Sequence, residues 1–280
     1  MRTIVHLSDL HFGRLDPVVV APLCAAIDSA SPDLIAISGD FTQRAKRSEF
    51  VAARAFLNGL RAPKLLVPGN HDVPLWNVGL RMIMPLRRYQ RYISPELEPE
   101  YVDDEIIALG VNTARVTVYG GGGRINATQI SRIVTRFAAA PQALVRIIVT
   151  HHPFDLPPGV RERRLLGRAE MAMAGLTLSK PDLFLSGHLH LSHASRSSER
   201  YGMAGHAALI VQAGTVSRRG RGEQPSFNLL RVHDAEIALA RFVWEPSTLR
   251  FTLVEIGRYY RNHTGWCSVD PDGPLSPASQ

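Results

Sequence analysis

Short runs of Ile, Val and Leu alternate, over the first two hundred residues, with longer segments whose apolar positions recur at helical spacing. Gly and Pro bound the short runs, which is typical of buried strands. These runs are TIVHLS, LIAIS, KLLVP, VRIIVT and DLFLS, beginning at residues 3, 34, 64, 145 and 182. The longer segments predict helices at residues 17–31, 48–60, 127–139 and 168–179. Alternation of this kind predicts a layered α/β fold.

The pattern changes after residue 207, where ALIVQAG, FNLLRV, IALARFVW and LRFTLVEI follow one another with short turns between them. Such spacing predicts an antiparallel meander, either within a mixed sheet or in a second sheet stacked on the first. We expect one domain over residues 1–256 and a partly irregular C-terminal extension over residues 257–280.

The composition is that of an ordinary globular protein, with 45% hydrophobic and 20% charged residues among 280. Cys24 and Cys267 are far apart, which predicts no disulfide framework and a reducing compartment. No apolar run approaches the ~20 residues that cross a bilayer. The first predicted strand begins at Thr3 and leaves no room for a signal peptide, so the expected location is the cytoplasm.

The net charge of +7 and the pI of 9.8 favour anionic partners. Arginine runs at residues 161–164 and 218–221 could steer a phosphate-bearing substrate inward, and they fit a solvated surface equally well. A nucleic-acid reader would be expected to carry a known module or an aromatic stacking platform, and the sequence has neither. Charge alone therefore gives an anionic partner and no more, and self-association stays open.

Acid, amide or histidine side chains follow each of the five apolar runs. The clusters are Asp9-x-His11, Gly39-Asp40, Gly69-Asn70-His71-Asp72, His151-His152-Pro153 and Gly187-His188-Leu189-His190. Ligands bind at strand ends in open α/β sheets, so these clusters are expected to converge.

These clusters carry side chains that suit Mn, Fe or Zn, whereas a closed structural zinc site would recruit cysteines. A bridging carboxylate would let seven such side chains hold two ions about 3.5 to 4 Å apart, the arrangement used for displacement at phosphorus. The seven candidate ligands are Asp9, His11, Asp40, Asn70, His151, His188 and His190.

The order D-x-H, G-D, G-N-H-D, H and G-H-x-H over residues 3–190 resembles the calcineurin-like metallophosphoesterase superfamily. The resemblance implies a β-sandwich of mixed sheets flanked by helices and a binuclear centre of divalent or mixed-valence transition metals. It places Asp9, His11 and His190 on one ion, and Asn70, His151 and His188 on the other, with Asp40 bridging both. It also makes His71 a catalytic side chain near the phosphate, with Asp72 orienting the His71 imidazole and favouring its protonated form.

Linking phrases such as VHLSDLHFG and GNHDVPL resemble the branch of class III cyclic-nucleotide phosphodiesterases and related bacterial phosphodiesterases. The implied activity is hydrolysis of small phosphodiesters, such as cyclic nucleotides or glycerophosphodiesters, by a hydroxide shared between the metals. A phosphomonoesterase or a nucleotide pyrophosphatase would use the same centre. A non-catalytic metal-binding scaffold and a nucleic-acid-binding protein are further alternatives.

Two more histidines adjoin the motifs. His152 could replace His151 as a ligand, but strand alternation predicts that it points to the opposite side. His193 could contact substrate or lie in a surface loop. His6, inside the first strand, is expected to be a packed histidine.

Overall fold

Two mixed β-sheets pack face to face in a computed structural model that describes residues 1–74, 78–115, 122–201 and 206–268. The strands are β1 (Arg2–Leu7), β2 (Leu34–Ile37), β3 (Lys64–Leu66), β4 (Glu100–Val102), β5 (Ile106–Val111), β6 (Val145–Thr150), β7 (Leu183–Ser186), β8 (His193–Arg196), β9 (Leu209–Gln212), β10 (Ser226–Val232), β11 (Glu236–Glu245), β12 (Arg250–Asn262) and β13 (Gly265–Ser268).

Seven α-helices connect these strands within the described residues. They are α1 (Pro17–Ala30), α2 (Arg47–Gly59), α3 (Val78–Ile83), α4 (Arg87–Tyr92), α5 (Ala127–Ala139), α6 (Ala169–Leu176) and α7 (Ser197–Tyr201). Short 3₁₀ turns cover Asn70–Asp72, Glu162–Arg164 and Thr177–Ser179.

The first sheet has the order β13-β12-β11-β10-β1-β2-β3, and the second has the order β4-β5-β6-β7-β9-β8. Strands β1, β2 and β3 run parallel in the first sheet, as do β5, β6, β7 and β9 in the second. Parallel pairing requires crossover connections, which the helices supply. The carboxyl ends of the parallel strands therefore share one edge in each sheet.

Three apolar layers hold the sheets and helices together. The inner faces of the two sheets meet in a buried core that includes Ile4, Val67, Ile147 and Leu185. Helices α1 and α2 pack on the outer face of the first sheet, and α5 and α6 pack on that of the second. This is the predicted α/β sandwich of mixed sheets flanked by helices, and the fold class is confirmed.

Helix α5 illustrates how the local sequence sets these elements. The Asn126 side chain accepts from the Gln129 backbone N–H at 2.9 Å, and the Gln129 side chain accepts from the Asn126 N–H at 3.0 Å. This reciprocal pair is a capping box, which satisfies two otherwise unpaired donors at the helix start. Ile130, Ile133 and Phe137 then bury one face of the helix.

The prediction that the segment ALIVQAG belongs to the antiparallel meander is wrong. Its strand β9 pairs in parallel with β7 in the second sheet, and the antiparallel meander begins only at β10. All four residues of β9 are buried. A strand covered on both faces lacks the polar alternation that would assign it to a sheet, so the pattern alone misplaced it.

The boundary expected at residue 256 lies inside β12, which continues to Asn262, and β13 extends the same sheet. Trp266 in β13 is fully buried between the sheets, where its indole N–H donates to Asp182 at 3.0 Å. We therefore propose that the domain extends through Ser268. Within the described part of the chain, no helix has the length and apolar character needed to cross a membrane.

Trp266→Ala should lower the free energy of unfolding by about 3 to 5 kcal/mol, because it opens a cavity in the core between the sheets. Urea unfolding would measure the loss. Ser268→Ala, an exposed change in the same strand, should stay within about 0.5 kcal/mol of the original protein. Equal stability of the Trp266→Ala variant and the original protein would contradict a domain that includes β13.

His6 generates a prediction about pH, because burial lowers the pKa of its imidazole to about 3. Between pH 3 and 6.5 the unfolded chain binds a proton that the folded chain rejects, so this contribution to stability is lost as pH falls through that window. Going from pH 7 to pH 5, the original protein should lose about 2 kcal/mol more free energy of unfolding than His6→Gln. His263→Gln, at an exposed position, is the control and should retain the full pH dependence; equal pH slopes for His6→Gln and the original protein would refute this role.

Candidate metal centre

The seven candidate ligands follow the carboxyl ends of parallel strands from both sheets. Asp9 and His11 follow β1, Asp40 follows β2, and Asn70 follows β3 in the first sheet. In the second sheet, β6 precedes His151, and β7 precedes both His188 and His190. The stacking of the sheets therefore brings side chains up to about 180 residues apart in sequence into contact.

A first group of donors surrounds one point. Asp9 Oδ1 lies 3.1 Å from His190 Nε2 and 3.4 Å from His11 Nε2. The two imidazole Nε2 atoms are themselves 3.1 Å apart. All three side chains are buried. They form one of the groups whose ligand atoms are close enough to hold a metal ion.

A second group lies beside the first and shares Asp40 with it. His151 Nε2 is 3.1 Å from Asn70 Oδ1 and 3.4 Å from Asp40 Oδ2. The His188 ring centroid is 5.2 Å from that of His151. Asp40 Oδ2 is also 3.7 Å from His11 Nε2 in the first group. The Asp40 carboxylate thus faces both groups, as a bridging ligand would.

Hydrogen bonds set the tautomers of three of these histidines. In each, Nδ1 lies beside a backbone carbonyl oxygen, so Nδ1 carries the proton and the Nε2 lone pair is directed toward the other candidate ligands. The carbonyl partners of His11, His151 and His190 are Thr42, Ser38 and Arg219, at 3.3, 2.7 and 2.9 Å. A metal ligand needs an unprotonated Nε2. Burial lowers the pKa of His151, but the Asp40 carboxylate raises it to about 9, so a metal ion bound there would displace a proton.

Two buried polar atoms support the fit to metal. Asp9 Oδ1 and His188 Nε2 have no hydrogen-bond partner among the described residues, and unpaired buried polar atoms are uncommon. The donor-to-donor distances of 3.1 to 3.7 Å match ligands arranged around ions with bonds of about 2.1 Å. These oxygen and nitrogen donors therefore fit two divalent transition metal ions.

The two carboxylates are ionised despite complete burial. Desolvation alone would raise the pKa of Asp9 and Asp40, but the neighbouring histidines lower both values well below the ordinary range. For Asp9 the main contributor is His190, and for Asp40 it is His151. Negative charge is therefore concentrated where the donors converge, which favours a bound cation.

The backbone around the donors is strained. Asp9, His11, Asp40, His188 and His190 all have φ between +44° and +72°, a region that residues other than glycine rarely occupy. Such strain clusters at functional sites.

Close packing explains two of the motif glycines. Gly39 has φ of +95°, and a Cβ on Gly69 would lie 2.1 Å from Asp40 Oδ1. Only glycine lets the two loops approach so closely.

His71 lies beside the donors, with its ring centroid 4.9 Å from that of His11. Its Nδ1 donates to the Gln43 carbonyl oxygen at 2.8 Å. This contact corrects the interpretation that Asp72 orients the ring. Burial lowers the pKa of His71, which favours the neutral imidazole and not the protonated form expected from the sequence.

Asp72 instead joins two loops. Its carboxylate accepts N–H bonds from Gly69, Phe41 and Thr42 at 2.9, 3.3 and 3.0 Å, and the Thr42 hydroxyl also donates to it at 3.0 Å. Burial, together with the charge of Asp40, raises the pKa of Asp72 to about 7, while these donors oppose the shift. Its position indicates a structural role beneath Asp40 and His71.

The prediction that His152 points to the opposite side from His151 is wrong, because its side chain lies beside the other donors. Its ring centroid lies 4.6 Å from that of His188 and 4.8 Å from that of His151. Since β6 ends at Thr150, strand alternation does not extend to this pair. His152 Nδ1 lies 2.9 Å from the Thr113 hydroxyl, and the residue forms a metal-capable group with His151 and His188.

Sequence reasoning missed Arg219, which it treated only as part of an arginine run. Its guanidinium Nη1 lies 3.1 Å from His71 Nε2 and 3.4 Å from His11 Nε2. No local signal identifies it, since it lies 29 residues beyond His190. His193, by contrast, is 3.5 Å from Asp155 and partly exposed.

The family profile described as calcineurin-like phosphoesterase matches residues 2–192. The chain therefore belongs to the calcineurin-like phosphoesterase family, a class of metal-dependent hydrolases, and the resemblance found in the sequence is confirmed.

Among individual proteins, an aligned stretch of 80 residues is 31% identical to the glycerophosphodiester phosphodiesterase GpdQ of Enterobacter lignolyticus. That match covers 25% of this chain and 29% of the relative.

Two solved phosphatases share the fold. A dimetal phosphatase from Danio rerio superimposes with a TM-score of 0.60 at 13% identity, over 85% of this chain and 95% of that one. The purple acid phosphatase PPD1 from yellow lupin gives a TM-score of 0.67 at 11% identity, over 92% of this chain and 53% of that one. At such low identities the likeness concerns the fold alone.

Metal analysis tests the second group of donors. His188→Ala should reduce the bound metal of reconstituted and dialysed protein from two ions per chain to one, because it removes a buried nitrogen donor. The matched control is His193→Ala, five residues along the chain and partly exposed, which should keep two ions. Two ions retained by His188→Ala would refute its role as a ligand.

Proposed function

We propose that this protein hydrolyses phosphodiester bonds in small substrates such as cyclic nucleotides or glycerophosphodiesters, using two metal ions. The observation that carries the proposal is the convergence of two donor groups on Asp40, with His71 beside them. In this assignment Asp9, His11 and His190 hold one ion, and Asn70, His151 and His188 hold the other. Mn, Fe and Zn all suit these donors.

Two bound ions would polarise the phosphoryl group and supply a water-derived nucleophile at neutral pH. The protein provides the remaining requirements. The carbonyl partners of His11, His151 and His190 orient each imidazole so that Nε2 faces the other donors, and Asn70 contributes a neutral oxygen that limits the negative charge at the site.

His71 is the proposed catalytic side chain. Its Nδ1 proton is committed to the Gln43 carbonyl, so Nε2 is the atom available to the substrate. Without a second proton Nε2 is only an acceptor. It must take one up before it can donate to a phosphate oxygen or to the leaving oxygen. Asp72 acts through the loops that it joins and is a positioning residue.

The diester preference is supported by the partial identity with a glycerophosphodiester phosphodiesterase and by the linking phrases around the motifs. A phosphomonoesterase or a nucleotide pyrophosphatase could use the same donors, so the substrate panel below includes monoesters. A cytoplasmic location and self-association stay predictions from the sequence.

The test is turnover by metal-free protein reconstituted with Mn, Fe, Zn or Co. Substrates are bis- and mono-nitrophenyl phosphate, cyclic AMP, glycerophosphodiesters and single-stranded DNA. We expect higher kcat/KM for small diesters than for monoesters. His71→Ala should reduce kcat by about 10² to 10⁴-fold while retaining two metals, whereas His193→Ala should keep the original rate.

Other outcomes would favour the alternatives. Faster turnover of the monoester would indicate a phosphomonoesterase. DNA binding that persists without metal and weakens steeply with salt would indicate a nucleic-acid-binding protein. A fully metallated protein without turnover of any ester would indicate a scaffold. Undiminished activity of His71→Ala would remove its assigned role.

A further inference from the structure

Arg219 places a permanent positive charge beside the proposed catalytic histidine. Its Nη1 lies 3.1 Å from His71 Nε2, the ring atom available to substrate, and 3.4 Å from His11 Nε2. An arginine guanidinium offers several N–H donors in a planar fork that matches phosphate oxygens. One end of this fork therefore lies at the point where a phosphoryl group would meet His71.

The position of Arg219 is fixed by its own loop. The Thr215 hydroxyl donates to the Asp9 carbonyl oxygen at 2.7 Å, and the Ser217 N–H donates to the Thr215 hydroxyl at 3.0 Å. Both side chains are almost fully buried. His190 Nδ1 then donates to the Arg219 carbonyl oxygen at 2.9 Å. The loop is thus attached to residues of the first donor group at Thr215 and at Arg219 itself.

Among the described residues, no carboxylate forms an ion pair with Arg219. Its neighbour Arg218 differs, since it is 67% exposed and pairs with Asp16 at 2.6 Å. The contacts of the Arg219 guanidinium are imidazole nitrogens instead. A half-buried guanidinium that faces such partners favours an anion.

We infer that Arg219 is a substrate-binding residue that donates to a non-bridging oxygen of the phosphoryl group, next to His71. The inference rests on the proposed function, because it assumes that phosphate esters occupy this site. It extends that function by adding a fixed positive charge next to His71 and the metal-binding residues. Arg219 recognises the phosphoryl group itself, so it serves diester and monoester substrates alike.

Calorimetric titration of the metal-loaded protein with inorganic phosphate tests this role without requiring turnover. Arg219→Ala and Arg219→Gln should weaken phosphate binding by about ten- to a hundredfold, the range for a hydrogen bond to a charged group. Arg219→Lys, which keeps the charge but loses the fork, should fall between these variants and the original protein. Metal content should stay at two ions per chain in all three variants.

Arg218→Ala is the matched control and should bind phosphate as the original protein does. Unchanged phosphate affinity in Arg219→Ala with two metals bound would overturn the inference. Loss of metal from Arg219→Gln and Arg219→Lys would also overturn it, since Arg219 would then support His190 and not the phosphate. Failure of the diesterase proposal has a different signature, because phosphate binding would still depend on Arg219 while diesters are not hydrolysed.

Discussion

Asp9 links the two sheets, and the geometry of the site depends on that link. Asp9 follows a strand of the first sheet, and its Oδ2 accepts the backbone N–H of His188, which follows β7 of the second sheet, at 2.9 Å. Ser8 donates to the same oxygen at 2.7 Å. The other carboxylate oxygen faces His11 and His190. One buried carboxylate therefore links the ends of strands from the two sheets and presents a candidate ligand atom.

Backbone hydrogen bonds continue the pairing of β1 with β2 beyond the ends of these strands. The Asp9 N–H donates to the Gly39 carbonyl at 3.0 Å, and the His11 N–H donates to the Asp40 carbonyl at 2.9 Å. Asp9, His11 and Asp40 adopt left-handed φ values, which turn each side chain toward the site while these backbone hydrogen bonds are kept. This conformation is strained. Strain of this kind is tolerated only where surrounding contacts determine the conformation, and the buried sheet edges supply those contacts.

The sequence predicts those features that local pattern determines. The helix predicted at residues 127–139 is observed there, because the apolar spacing and the capping pair both favour a helix at that segment. The motifs also predict which side chains converge, since each follows a buried strand. Features set by contacts between distant segments escape this reasoning: the sheet to which β9 belongs, the direction of His152, and the Gln43 carbonyl that holds His71. A backbone carbonyl carries no residue-specific signal, so no motif could have pointed to Gln43.

Substrate choice is a separate physical problem from assembly of the metal centre. In the proposed function, the metal ions and Arg219 would act on phosphoryl oxygens, which diesters and monoesters have in common. A diester, however, carries one negative charge and a second organic group, whereas a monoester carries up to two charges and no second group. Discrimination between diesters and monoesters must therefore come from side chains that contact the second organic group, outside the two donor groups. The metal-binding residues and their motifs can be nearly the same in phosphatases and phosphodiesterases, because the requirements of metal binding do not constrain the side chains around the rest of the substrate.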